Sequence, residues 1–123
     1  MRLLLDTHVV LWWDAGTNLS LETVALIKEA ASVHVSAVVG WEVAIKSSLG
    51  KLRTGRTVSQ AMEASGFVEL PVHLRHAELV ATLPWHHRDP FDRLLVAQAL
   101  QEGLTLVTRD RIFERYELPV ILG

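Results

Sequence analysis

Short apolar runs alternate with helical patterns along the whole chain, and this alternation constrains the fold more than any other feature of the sequence. The clearest helical patterns cover Ala37–Leu49 and Phe91–Glu102. Strand-like runs lie at Arg2–Leu5, around Val33–Val35, within Phe67–Val72, and at Leu104–Val107 and Val120–Leu122. Such alternation is typical of strand–helix units around a parallel sheet. We therefore expect an α/β domain built on a mainly parallel sheet.

Length and composition exclude several classes of protein. The 123 residues fit one domain, 1–123, by the usual size of roughly 100–200 residues per domain. Half of them are hydrophobic, which argues against a disordered chain. There is no cysteine, which excludes disulfide scaffolds and thiolate metal sites and is compatible with the cytoplasm, where we expect the protein. No apolar run approaches the roughly 20 residues that span a bilayer, so we expect no membrane partner.

The charge balance limits how this chain could bind a nucleic acid. The formal net charge is −2, whereas proteins that bind nucleic acid through bulk charge are normally basic. A polyanionic partner would therefore need local basic residues or a bound cation.

Two acidic residues directly follow predicted strands. Asp6 comes after the first strand, and Asp110 follows the fourth strand through Thr108 and Arg109. Ligands of parallel sheets bind at the carboxyl ends of the strands, where both acids would lie. Capping of the helix that follows explains each position equally well, since Asp is a favoured N-cap residue.

Two further acids are predicted to face inward from helices. Glu42 falls in the middle of the apolar arc of Ala37–Leu49, and Asp92 falls within the apolar stripe of the helix that follows Pro90. A Glu42–Lys46 pair is the alternative for the first, although such pairs normally lie on a solvated face. Asp89 fits the N-cap position, but capping explains Asp92 less well. An inward carboxylate is costly unless it is paired, protonated or bound to metal.

Together these positions predict one acidic crevice at the strand ends. Clustered carboxylates repel one another, and a hard divalent cation would neutralise them; oxygen ligation suits Mg²⁺ or Mn²⁺. Such a site supports phosphoryl transfer by activating a water molecule. The neighbouring histidines, His86 and His87, lack the spacing of a metal motif and are interpreted as loop residues. The basic residues that could contact phosphates are Lys46, Arg88, Arg93 and Arg109, and also the loop Lys51–Arg56, where plain solubility is an equal explanation.

Four segments match one known family in order and in spacing. They are Leu4–Trp12, Trp41–Lys46 with Gly50–Leu52, His87–Ala99, and Leu106–Asp110. In these segments the chain resembles PIN-domain proteins, and most closely the VapC-type toxins of toxin–antitoxin pairs. The resemblance covers nearly the whole chain.

The resemblance implies a three-layer α/β/α fold and a Mg²⁺- or Mn²⁺-dependent endoribonuclease. It implies a homodimer that is held inactive by a small VapB-type antitoxin. The family's acidic quartet maps onto Asp6, Glu42, Asp92 and Asp110. The three aspartates would be metal ligands, and Glu42 would be a ligand through water or a base for the attacking water. Thr108 resembles the family's supporting hydroxyl.

Two other functions and one surface remain open at this point. A catalytically silent PIN-like module that binds RNA or a partner protein would be favoured by a missing acid, and none is missing. An RNA-processing or DNA flap nuclease is commonly larger than this chain. Among the tryptophans, Trp12, Trp13 and Trp85 are candidates for a partner-binding surface, whereas Trp41 is expected in the core.

Overall fold

The central element is a five-stranded sheet in which every neighbouring pair of strands is parallel. The computed structural model describes residues 1–123. The strands are β1 (Arg2–Leu5), β2 (Ser32–Ser36), β3 (Val68–Leu70), β4 (Thr105–Thr108) and β5 (Val120–Leu122). Their order is β3-β2-β1-β4-β5. The predicted parallel sheet is confirmed, and each strand lies at or within one residue of its predicted segment.

Six helices connect the strands. They are α1 (Thr7–Ala15), α2 (Leu21–Glu29), α3 (Ala37–Ser48), α4 (Val58–Ser65), α5 (Leu74–Leu79) and α6 (Pro90–Glu102), with 3₁₀ turns at Val80–Thr82 and Arg111–Arg115. The chain moves outward from β1 to β3 and then returns past β1 to β4. Right-handed crossovers therefore place the helices of the two halves on opposite faces of the sheet. None of these helices combines the length and the apolar character that crossing a bilayer requires.

The core is one continuous cluster of buried side chains on both faces of the sheet. Leu3, Leu4 and Leu5 of the central strand β1 are fully buried. Strands covered on both faces read as uninterrupted apolar runs, and β1 shows that pattern. The predicted place of Trp41 in this core is wrong: its side chain is 61% exposed and packs edge-on against Phe91, with ring centroids 5.2 Å apart. The apolar arc of α3 is wider than the part of it that meets the core.

The order of the strands fixes where a ligand can bind. The chain leaves β1 toward β2 on one side and reaches β4 on the other, so the direction of winding reverses between β1 and β4. A crevice opens at the carboxyl ends of the two strands at such a switch point. The backbone N–H of Asp6 still donates to the carbonyl oxygen of Val107 at 3.1 Å, so the two strand ends are tied together at the floor of the crevice.

Candidate active site

A cavity of about 230 Å³ lies at the switch point between β1 and β4. We call it the acid cavity. Its lining residues are Asp6, Thr7, His8, Glu42, Lys46, Asp89, Asp92, Asp110 and Phe113. The structure thus brings all four predicted acids together, adds Asp89, and includes a single lysine. A larger groove of about 590 Å³ runs between α1 and the loop before α4, but no cluster of carboxylates lines it.

Asp6 is held from two sides at the floor of the acid cavity. Its Oδ1 accepts from the backbone N–H of Val9 at 3.1 Å, which caps α1, and its Oδ2 accepts from the hydroxyl of Thr108. Both interpretations of this residue therefore apply, because the cap also faces the cavity. Burial raises the pKa of Asp6 above its ordinary value, and the hydrogen bond from Thr108 acts in the opposite direction.

Asp110 lies on the rim, linked to Asp6 through Thr108. The Thr108 hydroxyl oxygen accepts from the backbone N–H of Asp110 at 3.1 Å while it donates to Asp6. The Asp110 carboxylate caps the following 3₁₀ turn by accepting from the N–H of Ile112 at 3.0 Å. One threonine side chain therefore sets the spacing of the acids that follow the two central strands.

Glu42 faces inward from α3, as its place in the apolar arc predicts, and is 6% exposed. Its Oε1 accepts from the Thr7 hydroxyl at 2.6 Å, and its Oε2 accepts from Lys46 Nζ at 2.6 Å. The Glu42–Lys46 pair thus exists on a buried carboxylate, and the bond to Glu42 raises the pKa of Lys46. Sequence reasoning missed Thr7, because no spacing rule links it to a residue 35 positions away.

Asp92 projects into the cavity from the first turn of α6, next to the acid that caps the helix. Asp89 accepts from the backbone N–H groups of Phe91 and Asp92 at 2.9 and 3.1 Å, which is the predicted capping role. Burial raises the pKa of Asp92 to about 7, and repulsion from the other acids of the cavity adds to this effect, with Asp89 the strongest of them. Unlike Glu42, Asp92 forms no ion pair with a lysine or arginine.

One side chain outside the predicted set reaches Asp92. The Nε2 of His87 lies 3.5 Å from Asp92 Oδ2, and its Nδ1 lies 2.7 Å from the hydroxyl oxygen of Tyr116. Burial lowers the pKa of His87. The sequence signal for this residue was its position just before the Asp89–Asp92 segment, which alone does not distinguish it from His86.

The basic residues predicted to contact phosphates have different surroundings in the structure. For Arg93 the prediction is wrong: it is 2% exposed and donates to the carbonyl oxygens of Val80, Leu83 and Pro84 at 3.1, 3.3 and 2.9 Å. Both Nη atoms of this guanidinium donate to backbone carbonyls, and the side chain is buried, so it cannot reach a phosphate of a bound nucleic acid.

The other three basic residues lie at or near the acid cavity. Lys46 lines it but is bound to Glu42. Arg109 stacks over the ring of Trp12, 4.4 Å from its centroid, and donates to the carbonyl oxygen of Gly123 at 3.1 Å. Arg88 is exposed on the loop that leads into α6.

The chemistry of the donors fits a hard cation. The cavity offers carboxylate and hydroxyl oxygens, which Mg²⁺ and Mn²⁺ prefer, and no thiolate. No three acidic or histidine side chains converge closely enough to form a complete set of protein ligands for one ion. Mg²⁺ is commonly bound through one or two carboxylates and retains several waters. The open spacing therefore suits an ion that keeps part of its hydration shell.

Comparisons with known proteins identify the family and the fold of this chain. A family model described as the PIN domain matches residues 3–118. Ribonuclease VapC22 of Mycobacterium tuberculosis is 30% identical, over 94% of this chain and 92% of the relative. The structure of VapBC2 from Rickettsia felis bound to a promoter DNA fragment matches with a TM-score of 0.76 at 16% identity, over 100% of this chain and 99% of that one. The structure of FitAcB from Neisseria gonorrhoeae matches with a TM-score of 0.66 at 22% identity, over 97% of this chain and 96% of that one. These structural matches confirm the three-layer fold.

Proposed function

The chain belongs to the PIN domain family, and on that premise we propose that it is a Mg²⁺- or Mn²⁺-dependent endoribonuclease, the toxin of a toxin–antitoxin pair. The observation that carries the proposal is the convergence of Asp6, Glu42, Asp92 and Asp110 on one cavity at the switch point of the sheet. A relative at 30% identity bears the name ribonuclease, which supports the reaction class. The family's ribonucleases are generally dependent on a divalent metal ion.

We assign different roles in hydrolysis to the residues of the acid cavity. Asp6, Asp92 and Asp110 would hold the cation, and Thr108 forms hydrogen bonds with the carboxylate of Asp6 and the backbone N–H of Asp110. A bound Mg²⁺ or Mn²⁺ would lower the pKa of a water molecule and stabilise charge on the phosphate. Glu42 would orient the attacking water.

The hydrogen bonds of Glu42 explain why it suits that role. Its carboxylate is fixed by the Thr7 hydroxyl and by Lys46, so it cannot swing toward the other acids. Lys46 pairs with Glu42 at 2.6 Å, and such a pair offsets the cost of burying a carboxylate.

The charge of the protein is compatible with an RNA substrate on this account. A chain with a net charge of −2 does not attract a polyanion by bulk electrostatics. A cation held by the acids would offset their negative charge and stabilise charge on the scissile phosphate, and the exposed residues Arg88 and Arg109 would contact neighbouring phosphates. Lys46 would contribute only while it also neutralises Glu42.

The proposed partner is a VapB-type antitoxin. The structures from Rickettsia felis and Salmonella typhimurium are VapBC assemblies bound to DNA, and the fold of this chain matches them over nearly its full length. We further propose that the toxin is a homodimer and that it acts in the cytoplasm, where an RNA substrate is present.

Cleavage by the purified protein tests the proposed function. A single-stranded RNA and a DNA strand of the same sequence are incubated with Mn²⁺ or with EDTA. Wild type should cleave only the RNA, and only with the metal. Asp6→Asn should abolish cleavage, whereas Glu114→Gln, which changes an exposed acid on the turn that Asp110 caps, should not.

The other outcomes identify the alternative functions. Cleavage that persists in EDTA contradicts the metal site. Cleavage of the DNA strand favours the flap-nuclease reading, and RNA binding without cleavage favours a silent module.

A further inference from the structure

His87 bridges a buried tyrosine and one acid of the cavity. Its Nδ1 lies 2.7 Å from the Tyr116 hydroxyl oxygen, and its Nε2 lies 3.5 Å from Asp92 Oδ2. The Nε2 atom is buried and has no hydrogen-bond partner. The ring packs edge-on against Phe113 and Tyr116, so it cannot easily turn away from Asp92.

The neighbours of Tyr116 determine which nitrogen of His87 carries the proton. Arg93 Nη1 lies 3.5 Å from the tyrosine oxygen, and a guanidinium can only donate. The tyrosine oxygen accepts from Arg93, which leaves its own O–H free to donate to His87 Nδ1. A neutral imidazole that accepts at Nδ1 must carry its hydrogen on Nε2. That N–H then faces the carboxylate of Asp92.

We propose that His87 is a positioning residue for Asp92: Arg93 and Tyr116 fix its tautomer, and its Nε2–H holds the Oδ2 of Asp92. This role rests on the proposed function, in which Asp92 is a metal ligand. The N–H occupies one oxygen of the carboxylate, sets its rotation, and leaves the other oxygen for the cavity. Partners behind a metal ligand act in this way at many metal sites.

The anchoring of Arg93 makes the arrangement rigid. Its guanidinium is fixed by the carbonyl oxygens of Val80, Leu83 and Pro84 and stacks 3.8 Å over the ring of Trp85. The chain of contacts therefore starts at the backbone, passes through the side chains of Arg93, Tyr116 and His87, and ends at Asp92. Asp92 and Arg93 are consecutive on α6, so the same helix holds the first and the last side chain of this series of contacts.

Two substitutions at His87 separate positioning from packing. In His87→Gln the side-chain amide nitrogen takes nearly the place of Nε2 and can still reach Asp92. In His87→Asn the amide takes the place of Nδ1, keeps the contact with Tyr116, and is too short to reach Asp92. His86→Asn is the matched control, because the ring of His86 packs against Tyr116, with centroids 4.8 Å apart, but the contact with Asp92 is made by His87.

The first measurement is Mn²⁺ binding to the full chain without RNA. His87→Asn should weaken binding by about tenfold or more, as is typical when a partner behind a metal ligand is lost. His87→Gln and His86→Asn should stay within about threefold of wild type. Equal losses in His87→Gln and His87→Asn would overturn the proposal, as would unchanged binding in both. Melting temperatures identify any variant that fails to fold.

The second measurement is the tautomer of His87, from ¹⁵N–¹H correlations of the imidazole at pH 8. Wild type should show the Nε2–H form, and Tyr116→Phe should show a gain of the Nδ1–H form. A dominant Nδ1–H form in wild type would overturn the proposal. Neither readout needs catalysis. A protein with this tautomer and this binding pattern but without ribonuclease activity would therefore refute the proposed function and leave the positioning role intact.

Discussion

Two consecutive residues of α6 bury opposite charges in opposite ways. Arg93 lies in what we call the arginine cage, formed by the carbonyl oxygens of Val80, Leu83 and Pro84 and the ring of Trp85. Asp92 faces the acid cavity, where burial and repulsion from the other acids raise its pKa to about 7. Both Nη atoms of Arg93 donate hydrogen bonds within the cage, whereas Asp92 forms no ion pair with a lysine or arginine.

The difference shows which burial serves folding and which serves binding. A buried ion that donates several hydrogen bonds to the backbone holds the surrounding segments together, whereas clustered like charges reduce stability until a counter-ion binds. Folded proteins violate the rules of charge burial mainly at functional sites. Removing the charge on either side of the comparison should therefore have opposite effects on stability.

The largest effect is expected on cleavage when the charge of Asp92 is removed. Asp92→Asn keeps the shape of the side chain but removes a metal ligand, so ribonuclease activity should fall by at least about a hundredfold. The same variant should melt at a higher temperature than wild type in the absence of metal. Initial rates on a defined RNA and thermal melts in EDTA measure both. Wild-type cleavage by Asp92→Asn would refute the site.

The next effect is on the cage. Arg93→Met removes the donors of several buried carbonyl groups, and the free energy of unfolding should fall by about 3 kcal/mol, within the usual cost of unsatisfied buried groups. Urea denaturation measures the change. Arg88→Met, on the exposed loop before α6, should stay within about 0.5 kcal/mol of wild type. An Arg93→Met protein as stable as wild type would show that the cage does not stabilise the fold.

The third effect is on the pH dependence of stability without metal. An acid whose pKa rises from 3.8 to about 7 on folding binds its proton more tightly in the native state. Stability is therefore greatest below pH 4 for this group and is lost as pH rises through 7. Because Asp92 is partly exposed, the expected loss is about 1–2 kcal/mol. Urea midpoints at pH 5 and pH 8 should show it in wild type and not in Asp92→Asn, and Mg²⁺ should reverse it.

The smallest effect separates the two roles of Asp89. Asp89→Ala loses the cap of α6 and should cost about 1 kcal/mol of stability. Asp89→Asn keeps an acceptor for the N–H groups of Phe91 and Asp92 and should stay within a few tenths of a kcal/mol of wild type. Mn²⁺ binding should be nearly unchanged in Asp89→Asn if Asp89 only caps. A tenfold weakening would place Asp89 among the metal-binding groups.

Local patterns predicted the sheet and the direction of the acids. Strand-length apolar runs identified all five strands, and the rule for parallel sheets indicated the edge at which Asp6 and Asp110 meet. The helical arc of α3 predicted the inward direction of Glu42. These features depend on residues that are close in the sequence and on one topological rule, so they can be predicted from a single sequence.

Contacts between distant segments were beyond such patterns. The arginine cage forms because the segment 80–84 folds back over α6. The position of Arg93 in the helical pattern of α6 does not predict this contact. The pairs Thr7–Glu42 and His87–Tyr116 join residues 35 and 29 positions apart. The exposure of Trp41 depends on how α3 and α6 approach each other, which the periodicity of either helix does not specify.

The carboxyl ¹³C titration of Asp92, with and without Mg²⁺, tests most directly whether this carboxylate binds a divalent cation. In metal-free protein the pKa of Asp92 should be about 7. Saturating Mg²⁺ should bring it back toward the ordinary range, because a bound cation stabilises the carboxylate. A titration near 7 that Mg²⁺ does not move, or an ordinary pKa in both samples, would contradict the account.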